Sequence, residues 1–400
     1  MRVNTQRAMD RLIGTILCGV LSIFPWQYRR VPSGFRPGNI LVVLLSEMGS
    51  LVLSGSMFAR IREKYPEATV HILTLQRNSS FLEVLGFVPK GHIITVDDRS
   101  FSAFLLGSIR ALRRLRRIGV DTVLDCELFS RISSLYSLVS GAKVRAGFHR
   151  HTQEGLFRGR FINRPLLYNP YRHISEQFVH LVKSIDGQGT PLVKGAAFSE
   201  ALPIDPLKIA PEEIEAFCQG LQNDFPHLRE RQQLVLVYPG GGLLPIRAWP
   251  RKYYEEVVRG LLESGYSVGV VGLAEDKKLA GAILSACRSR FCLDLTGYTK
   301  TVRDLILLFH RASLLISNDG GPGHFASLTP IPSVVLYGPE TPMLYGVMGP
   351  KTYAFYNPIP CSPCLTAYNH RRSPCDGNNE CLKGISPQAV LEKAYEFLRQ

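Results

Sequence analysis

Two glycine-rich turns in the carboxyl-terminal half hold the residues best suited to chemistry. In the first turn, the apolar run QLVLVY leads directly into Gly240, Gly241 and Gly242, and Arg247 follows. Glycines let backbone N–H groups approach an anionic oxygen closely, and the guanidinium of an arginine matches the geometry of a phosphate. An ordinary tight turn would also use glycines. Three glycines and an arginine at the end of a strand nevertheless favour a phosphate-binding loop.

The second turn has the same organisation. The apolar run LLIS ends at Asn318-Asp319, and a helix is predicted to begin in the following stretch, which reaches His324. Helix starts attract anions through their free N–H groups. Asp319 could cap this helix, and His324 could donate to a phosphate or pack inside. The glycines of this turn are Gly320, Gly321 and Gly323. Together the two turns predict a diphosphate site.

Four cysteines near the end of the chain form a separate pattern. Their spacing is Cys361-x2-Cys364-x10-Cys375-x5-Cys381, in sequence rich in Pro, Asn and Gly. Four thiolates fit a closed tetrahedral site, so we expect structural zinc, with iron as a second option. Two disulfides or unpaired thiols are the alternatives. The chain has nine cysteines in 400 residues, too few for a secreted disulfide scaffold, which favours a reducing compartment.

Alternating strand and helix patterns position these residues. One series of apolar runs and helices extends from Asn39 to about Gly147, and a second extends from Gln233 to Tyr337. A final helix is predicted at Pro387–Leu398. The alternation predicts two α/β domains with parallel sheets. In such sheets ligands bind beyond the carboxyl ends of the strands, and a cleft between two domains is the expected site.

The predicted organisation follows from these patterns. We expect an apolar and basic N-terminal segment (1–36), a first Rossmann-like domain (37–185), a linker (186–232), a second Rossmann-like domain (233–385) with the cysteine cluster (361–381), and a C-terminal helix (386–400).

Composition narrows the class of protein. The chain is 45% hydrophobic and 20% charged, which excludes wholesale disorder, and it carries a formal charge of +14. The surplus favours a polyanionic partner. Arginines are concentrated in a predicted helix at 102–117 and in the stretch 149–172. A phosphorylated ligand or anionic membrane explains them better than nucleic acid, because no zinc-finger, RRM or KH pattern is present.

The N-terminal segment has an apolar run, Leu12 to Trp26, that is shorter than the roughly 20 residues a spanning helix needs. Arginines flank it on both sides, and FPWQYRR follows where a signal peptide would have a cleavage site. We expect a helix in the membrane interface, anchored by Trp26 and Tyr28 on anionic headgroups. A helix packed on the protein itself is the alternative.

The turns also carry a family resemblance. The sequence contains PGGG-x4-R-x-WP and NDGGPGH-x-A, followed by VVLYGPETP. This combination resembles glycosyltransferase family 9, the ADP-heptose:lipopolysaccharide heptosyltransferases, and the similarity extends from about Asn39 to Leu398. The resemblance implies the GT-B fold, in which two Rossmann-like domains face each other across a cleft. The carboxyl-terminal domain would bind the nucleotide sugar and the amino-terminal domain the acceptor.

The activity implied by the resemblance is inverting transfer of a sugar, heptose from ADP-heptose, to a phosphorylated glycolipid or other glycan acceptor. The enzyme would act in the cytoplasm, at the inner face of the cytoplasmic membrane, without a catalytic metal. Arg247-Ala-Trp249-Pro250 would correspond to the Lys-x-Trp-Pro that touches the donor phosphates, and Asp319 to His324 to the phosphate turn. Glu275 would contact the ribose, although alone it reads as a solvated carboxylate.

One position departs from the family. The first loop usually has Gly-Asp, whose Asp is taken as the base that deprotonates the acceptor, and this chain has Gly49-Ser50. Since serine is a poor base at neutral pH, we expect Glu47, in the same loop, to take this role. The reserve candidates at other strand ends are Asp97, Asp98, Asp125 and Glu127. A non-catalytic scaffold and a protein-modifying glycosyltransferase are the alternative functions.

Overall fold

The computed structural model describes residues 3–26, 31–45, 48–149, 157–187, 206–231, 233–242, 244–366 and 372–399. The chain divides into two compact units, Met1–Leu202 and Pro203–Gln400. Each unit contains a six-stranded, fully parallel sheet with helices on its faces. The expected α/β class is therefore confirmed.

The sheet of unit 1 has the order β3-β2-β1-β4-β5-β6. Its strands are β1 (Asn39–Val43), β2 (Thr69–Leu75), β3 (Ile93–Val96), β4 (Thr122–Asp125), β5 (Val144–His149) and β6 (Arg164–Leu167). Its helices are α1 (Val3–Met9), α2 (Thr15–Leu21), α3 (Met48–Leu53), α4 (Gly55–Lys64), α5 (Ser79–Leu85), α6 (Phe101–Ile118), α7 (Arg131–Val139) and α8 (Ile174–Ser184).

Local signals in the sequence explain these elements. β1 and β4 are apolar and buried, as central parallel strands must be. α6 starts at Ser100, whose hydroxyl accepts from the backbone N–H of Ala103, and ends at Gly119 in the left-handed region. Right-handed crossovers place α6 and α7 on one face of the sheet and α4 and α5 on the other.

The N-terminal helices pack on α7 through one face. A π-helical turn, Asp10–Gly14, joins α1 to α2. A Cβ on Gly14 would lie 2.8 Å from the Cβ of Arg131, so only a glycine permits this approach. The carboxylate of Asp10 accepts from the backbone N–H groups of Arg131 and Ile132, both at 2.9 Å, and caps α7.

The opposite face of these helices is exposed, so the N-terminal segment both packs on the protein and presents an apolar surface. Trp26, expected as a membrane anchor, is half-buried instead, and its indole N–H donates to the carbonyl of Leu21 at 2.8 Å. Tyr28 lies outside the described residues. Within the described part of the chain, no helix combines the length and the apolar character needed to cross a bilayer.

The sheet of unit 2 has the order β12-β11-β10-β7-β8-β9. Its strands are β7 (Leu234–Tyr238), β8 (Ser267–Gly272), β9 (Cys292–Thr296), β10 (Leu314–Asn318), β11 (Ser333–Tyr337) and β12 (Thr352–Tyr356). Its helices are α9 (Pro211–Asp224), α10 (Arg251–Glu263), α11 (Lys277–Cys287), α12 (Val302–Arg311), α13 (Gly321–Ala326), α14 (Pro342–Tyr345), α15 (Glu380–Lys383) and α16 (Pro387–Leu398).

Both sheets have the same doubly wound topology. In each, the chain runs outward from a central strand through two neighbours and then crosses to the other side. The strand order therefore reverses between β1 and β4 in unit 1, and between β7 and β10 in unit 2. Loops at such a switch point diverge and leave room for a ligand beyond the carboxyl ends of the strands.

Several elements were not predicted, among them the short helices α14 and α15. β6 and α8 extend unit 1 beyond the point where the sequence pattern weakens, and β12 is an edge strand whose side chains are partly exposed. The helical segment between β1 and β2 is divided into α3 and α4 at Ser54, whose hydroxyl donates to the carbonyl of Leu51. A side chain that bonds back to its own helix weakens the helical ladder there.

Candidate functional site

The two glycine turns lie side by side in unit 2. β7 and β10 are neighbouring strands, with Tyr238 opposite Ser317, and the first turn follows β7 while the second follows β10. These are the two strands that flank the switch point. The turns singled out from the sequence are therefore adjacent at the position where doubly wound sheets bind ligands.

Asn318, the last residue of β10, joins the two turns. Its side-chain Nδ2 donates to the carbonyls of Gly240 at 3.0 Å and Tyr238 at 3.4 Å. Its Oδ1 accepts from the backbone N–H of Trp249 and from the hydroxyl of Tyr254, both at 3.0 Å. The amide is fully buried and fully hydrogen-bonded, so the spacing of the turns is set by the protein alone.

The backbone of the first turn requires its glycines. Gly242 has φ of +57°, in the left-handed region. A Cβ on Gly241 would lie 2.7 Å from the Cα of Pro245. A side chain at either position would displace the loop, which explains the glycines without a ligand. The structure therefore confirms the tight turn, and the close approach to an anion remains a prediction.

Arg247 lies between two buried carboxylates. Its Nη2 donates to Oε2 of Glu340 at 2.5 Å, and its Nε is 3.4 Å from Oδ2 of Asp319. Glu340 follows β11 and Asp319 follows β10, so three loops contribute to this charged cluster. Formally it carries one positive and two negative charges. A diphosphate bound here would need the guanidinium and backbone N–H groups to outweigh the carboxylates.

Two buried tyrosines near the charged cluster are neutral. They are Tyr238 and Tyr337, the last residues of β7 and β11. Burial raises the pKa of Tyr238 to about 12, and Asp276 adds to the shift. Burial also raises the pKa of Tyr337 well above its ordinary value. The Tyr337 hydroxyl accepts from the backbone N–H of Val347 at 3.1 Å. Neither tyrosine therefore contributes negative charge at neutral pH.

His324 is buried on α13, and the backbone of Gly321 to Gly323 forms the start of that helix. α13 has only 6 residues, so its dipole is smaller than the sequence interpretation assumed. A Cβ on Gly323 would contact Val347 at 3.1 Å. Close packing against Val347 is therefore sufficient to explain a glycine at position 323.

Trp249 is buried in the core, whereas Glu275 is exposed. Trp249 is 2% exposed, and its indole N–H donates to the carbonyls of Leu382 and Ile385 at 3.1 Å. It supports the loop from the core rather than lining a surface. Glu275 is exposed just after β8, the strand next to β7. Its expected contact with a ribose remains a prediction.

The carboxylates proposed for acid–base chemistry belong to unit 1. Glu47 lies outside the described residues, and Ser50 is half-buried on α3. Glu127 is buried at the switch point, where its carboxylate accepts from the backbone N–H of Leu45 at 2.7 Å. Glu127 therefore contacts the chain directly after β1.

The other reserve candidates are paired with arginines. Asp125 is buried 2.5 Å from Arg158; burial raises its pKa and the guanidinium opposes that shift. Arg99 lowers the pKa of Asp97 to about 2 through hydrogen bonds. Asp98 lies 3.2 Å from a guanidinium nitrogen of Arg77. A carboxylate with so low a pKa is a weak base, which argues against Asp97.

The cysteine segment packs against the loop after β11. The backbone N–H of Cys364 donates to the carbonyl of Pro339 at 2.9 Å, and a Cβ on Gly338 would lie 3.0 Å from Sγ of Cys381. All four cysteines are free thiols; Cys361 and Cys375 are exposed. The described residues contain no group of three or more potential ligands arranged to hold a metal ion. The metal site is not confirmed.

Sequence reasoning missed three side chains that organise the site. Asn318 and Glu340 stand inside the quoted motifs, at the ends of predicted strands, but were assigned no role. Asp276 was also missed; its Oδ2 accepts from the backbone N–H of Leu273 at 2.9 Å, and its Oδ1 would lie 2.9 Å from a Cβ on Gly240. The available signal was a polar residue at the end of a buried parallel strand or within four residues after it.

Two doubly wound α/β units, the second with glycine turns and a charged cluster at its switch point, are typical of glycosyltransferases of the GT-B class. The chain belongs to glycosyltransferase family 9 (heptosyltransferase), whose family model matches residues 109–372. It is 25% identical over 379 residues to lipopolysaccharide heptosyltransferase 2 of Salmonella typhimurium, covering 90% of this chain and 99% of that protein.

Solved structures share the fold. The structure of ADP-heptose LPS heptosyltransferase II from E. coli has a TM-score of 0.68 and 22% identity, covering 90% of this chain and 99% of that one. The E. coli heptosyltransferase WaaC with ADP has a TM-score of 0.62 and 16% identity, with the same coverage of both chains.

Replacing Asn318 tests whether its amide holds the turns together. In Asn318→Asp, the introduced carboxyl points an acceptor at the carbonyls of Tyr238 and Gly240, so we expect a loss of about 2 kcal/mol at pH 8. Burial raises the pKa of that carboxyl. The loss in free energy of unfolding should therefore be small near pH ~4, where the protonated carboxyl can donate a hydrogen bond to one of these carbonyls. The loss should grow as the pH rises and the carboxyl ionises.

Denaturant titration of the two proteins at several pH values measures this. Asn223→Asp, at an exposed position on α9, is the control and should change stability by less than about 0.5 kcal/mol. Equal stability of Asn318→Asp and the parent protein at pH 8 would contradict the assigned role.

Proposed function

We propose that this glycosyltransferase transfers a heptosyl group from ADP-heptose to a hydroxyl of a phosphorylated glycolipid acceptor in lipopolysaccharide synthesis, with inversion at the anomeric carbon. The observation that carries the proposal is the joining of the two glycine turns by Asn318 at the switch point of unit 2. The named activities of the relatives support the same donor and acceptor classes.

The donor diphosphate would bind beyond β7 and β10. The backbone N–H groups of the first turn and the guanidinium of Arg247 would face the phosphates, with His324 beneath them. Glu275, beyond β8, would contact the ribose. These groups supply the positive field that stabilises the leaving ADP, so no catalytic metal is required. Asp319 and Glu340 would hold Arg247 in place.

In the transfer step, the acceptor hydroxyl attacks the anomeric carbon while a carboxylate takes its proton. The bond between that carbon and the diphosphate oxygen breaks, and ADP departs with the electron pair. We assign Glu47 as the base, because it stands in the loop after β1 where the family has an aspartate. Ser50, in the aspartate's own position, could orient the acceptor but cannot remove its proton at neutral pH.

Calorimetric titration with ADP, UDP and GDP tests the donor assignment. We expect ADP to bind tightest and ADP-heptose to be consumed when a glycolipid acceptor is supplied. Arg247→Gln should weaken ADP binding about tenfold, which is ~1.4 kcal/mol, because Asp319 and Glu340 would then repel the diphosphate. Arg251→Gln removes an exposed arginine that pairs with Glu255 and should leave binding unchanged.

Two results would count against this assignment. UDP or GDP binding as tightly as ADP would remove the support for a heptose donor. Tight ADP binding without turnover of any nucleotide sugar would favour the non-catalytic scaffold.

Substitution of the loop carboxylate tests the base. Glu47→Gln should lower turnover at least 10²-fold and leave ADP affinity intact, because general base catalysis contributes about that much. Asp97→Asn is the matched control in the same unit and should keep turnover within about twofold, because a group with a pKa of about 2 is a weak base. Undiminished turnover in Glu47→Gln together with loss in Glu127→Gln would move the role to Glu127.

We further propose that Cys361, Cys364, Cys375 and Cys381 bind one structural zinc or iron ion. The number and spacing of the thiols support the proposal, as does the attachment of Cys364 and Cys381 to the loop at 338–339. Elemental analysis of protein purified under reducing conditions should find about one ion per chain. Cys375→Ser should lose it and Cys218→Ser should keep it. Metal-free protein of unchanged thermal stability would refute the site.

The protein would work in the cytoplasm as a peripheral protein on the inner face of the cytoplasmic membrane. The exposed apolar face of α2 and the net charge of +14 support this location, since anionic headgroups attract basic proteins.

A further inference from the structure

Large hydrophobic side chains are exposed mainly in two segments of unit 1. The first is the N-terminal helical segment, whose exposed members are Leu12, Ile13, Ile16, Leu17, Val20, Ile23 and Phe24. The second is the first half of α6, whose exposed members are Phe101, Leu105, Leu106 and Ile109. Contiguous exposed apolar surface of this kind marks an interaction site rather than ordinary protein surface.

The two segments are neighbours. Both pack on α7: Cys18 packs with Leu135, and Ser108 shares a hydrogen bond of 2.5 Å with Tyr136. The start of the N-terminal segment also meets the loop before α6, where Gln6 donates to the carboxylate of Asp98 at 3.0 Å. The apolar residues therefore belong to one side of unit 1.

The charge on α6 identifies the occupant of this surface. At about 3.6 residues per turn, Arg110, Arg113 and Arg117 share the exposed side of the helix with Leu106. All three arginines are exposed, and α6 contains no acidic residue. Apolar side chains at one end of an exposed helix face and arginines at the other match the hydrocarbon and phosphate layers of an anionic bilayer. A protein partner would not need this order.

We propose that α6, with the N-terminal segment, forms one surface that binds an anionic lipid bilayer. α6 follows β3, so its apolar end lies at the carboxyl edge of the unit 1 sheet, the edge at which Glu127 meets Leu45. Binding through this surface holds the acceptor side of the enzyme at the headgroups. The inference extends the membrane location of the proposed function to α6 and is independent of the identity of the sugar.

Co-sedimentation of the full chain with lipid vesicles tests this. We expect binding to vesicles of phosphatidylglycerol and phosphatidylethanolamine and at least tenfold weaker binding to phosphatidylcholine. The double variant Leu105→Ser, Leu106→Ser should bind anionic vesicles about tenfold more weakly. Arg110→Gln, Arg113→Gln, Arg117→Gln should remove most of the difference between the two vesicle types. Tyr171→Ser, which removes an exposed hydrophobic side chain elsewhere in unit 1, should bind like the parent.

ADP binding and thermal unfolding of each variant separate this proposal from the proposed function. Both should be unchanged, because the donor site belongs to unit 2. Parental vesicle binding by the α6 double variant overturns the inference even when glycosyl transfer is established. A second result also overturns the inference. If sedimentation velocity shows a dimer for the parent and a monomer for the α6 double variant, the surface binds a second copy of the chain instead of a bilayer.

Discussion

One buried amide sets the geometry of the two glycine turns in unit 2. Asn318 donates to two carbonyls at the start of the first turn and accepts from two donors on the chain that follows it. Since all of these groups are buried, no water can replace the amide. The two turns are therefore held together before any ligand arrives. Preorganised N–H groups of this kind stabilise developing charge without reorganisation during the reaction.

The carboxyl-terminal segment supports the charged cluster from outside. Asn379, between the last two cysteines, donates to the carbonyl of Ile246, directly before Arg247, at 2.6 Å. On the other side, Cys364 and Leu365 donate to the carbonyl of Pro339, directly before Glu340. The cysteine segment therefore hydrogen-bonds to the residues directly before both Arg247 and Glu340. This loop therefore affects the charged cluster by fixing the positions of its members.

Regular elements were predictable where the local signals agreed. α6 and α16 lie where the sequence placed them, because the helical pattern and the capping residues indicate the same boundaries. β6 and β12 were not predicted. β6 has only four residues, which include an arginine and a proline, and β12 is an edge strand with partly exposed side chains. The pairing of both strands depends on neighbours distant in sequence. The N-terminal run was ambiguous for a related reason. Its composition is that of an interfacial helix, and only the contacts of Gly14 and Cys18 show which face packs on α7.

By itself, the sequence determined the fold class, the two glycine turns and the family. Those features depend on local spacing and on backbone conformations that glycine alone adopts. Tertiary structure decided which residues meet. Arg247 and Glu340 are far apart in the chain, and only the crossing of strands at the switch point brings their charges to 2.5 Å. Trp249 stands in a motif that the resemblance linked to phosphates, yet its ring lies in the core. Motif membership is local, whereas burial and pairing depend on the packing of the whole unit.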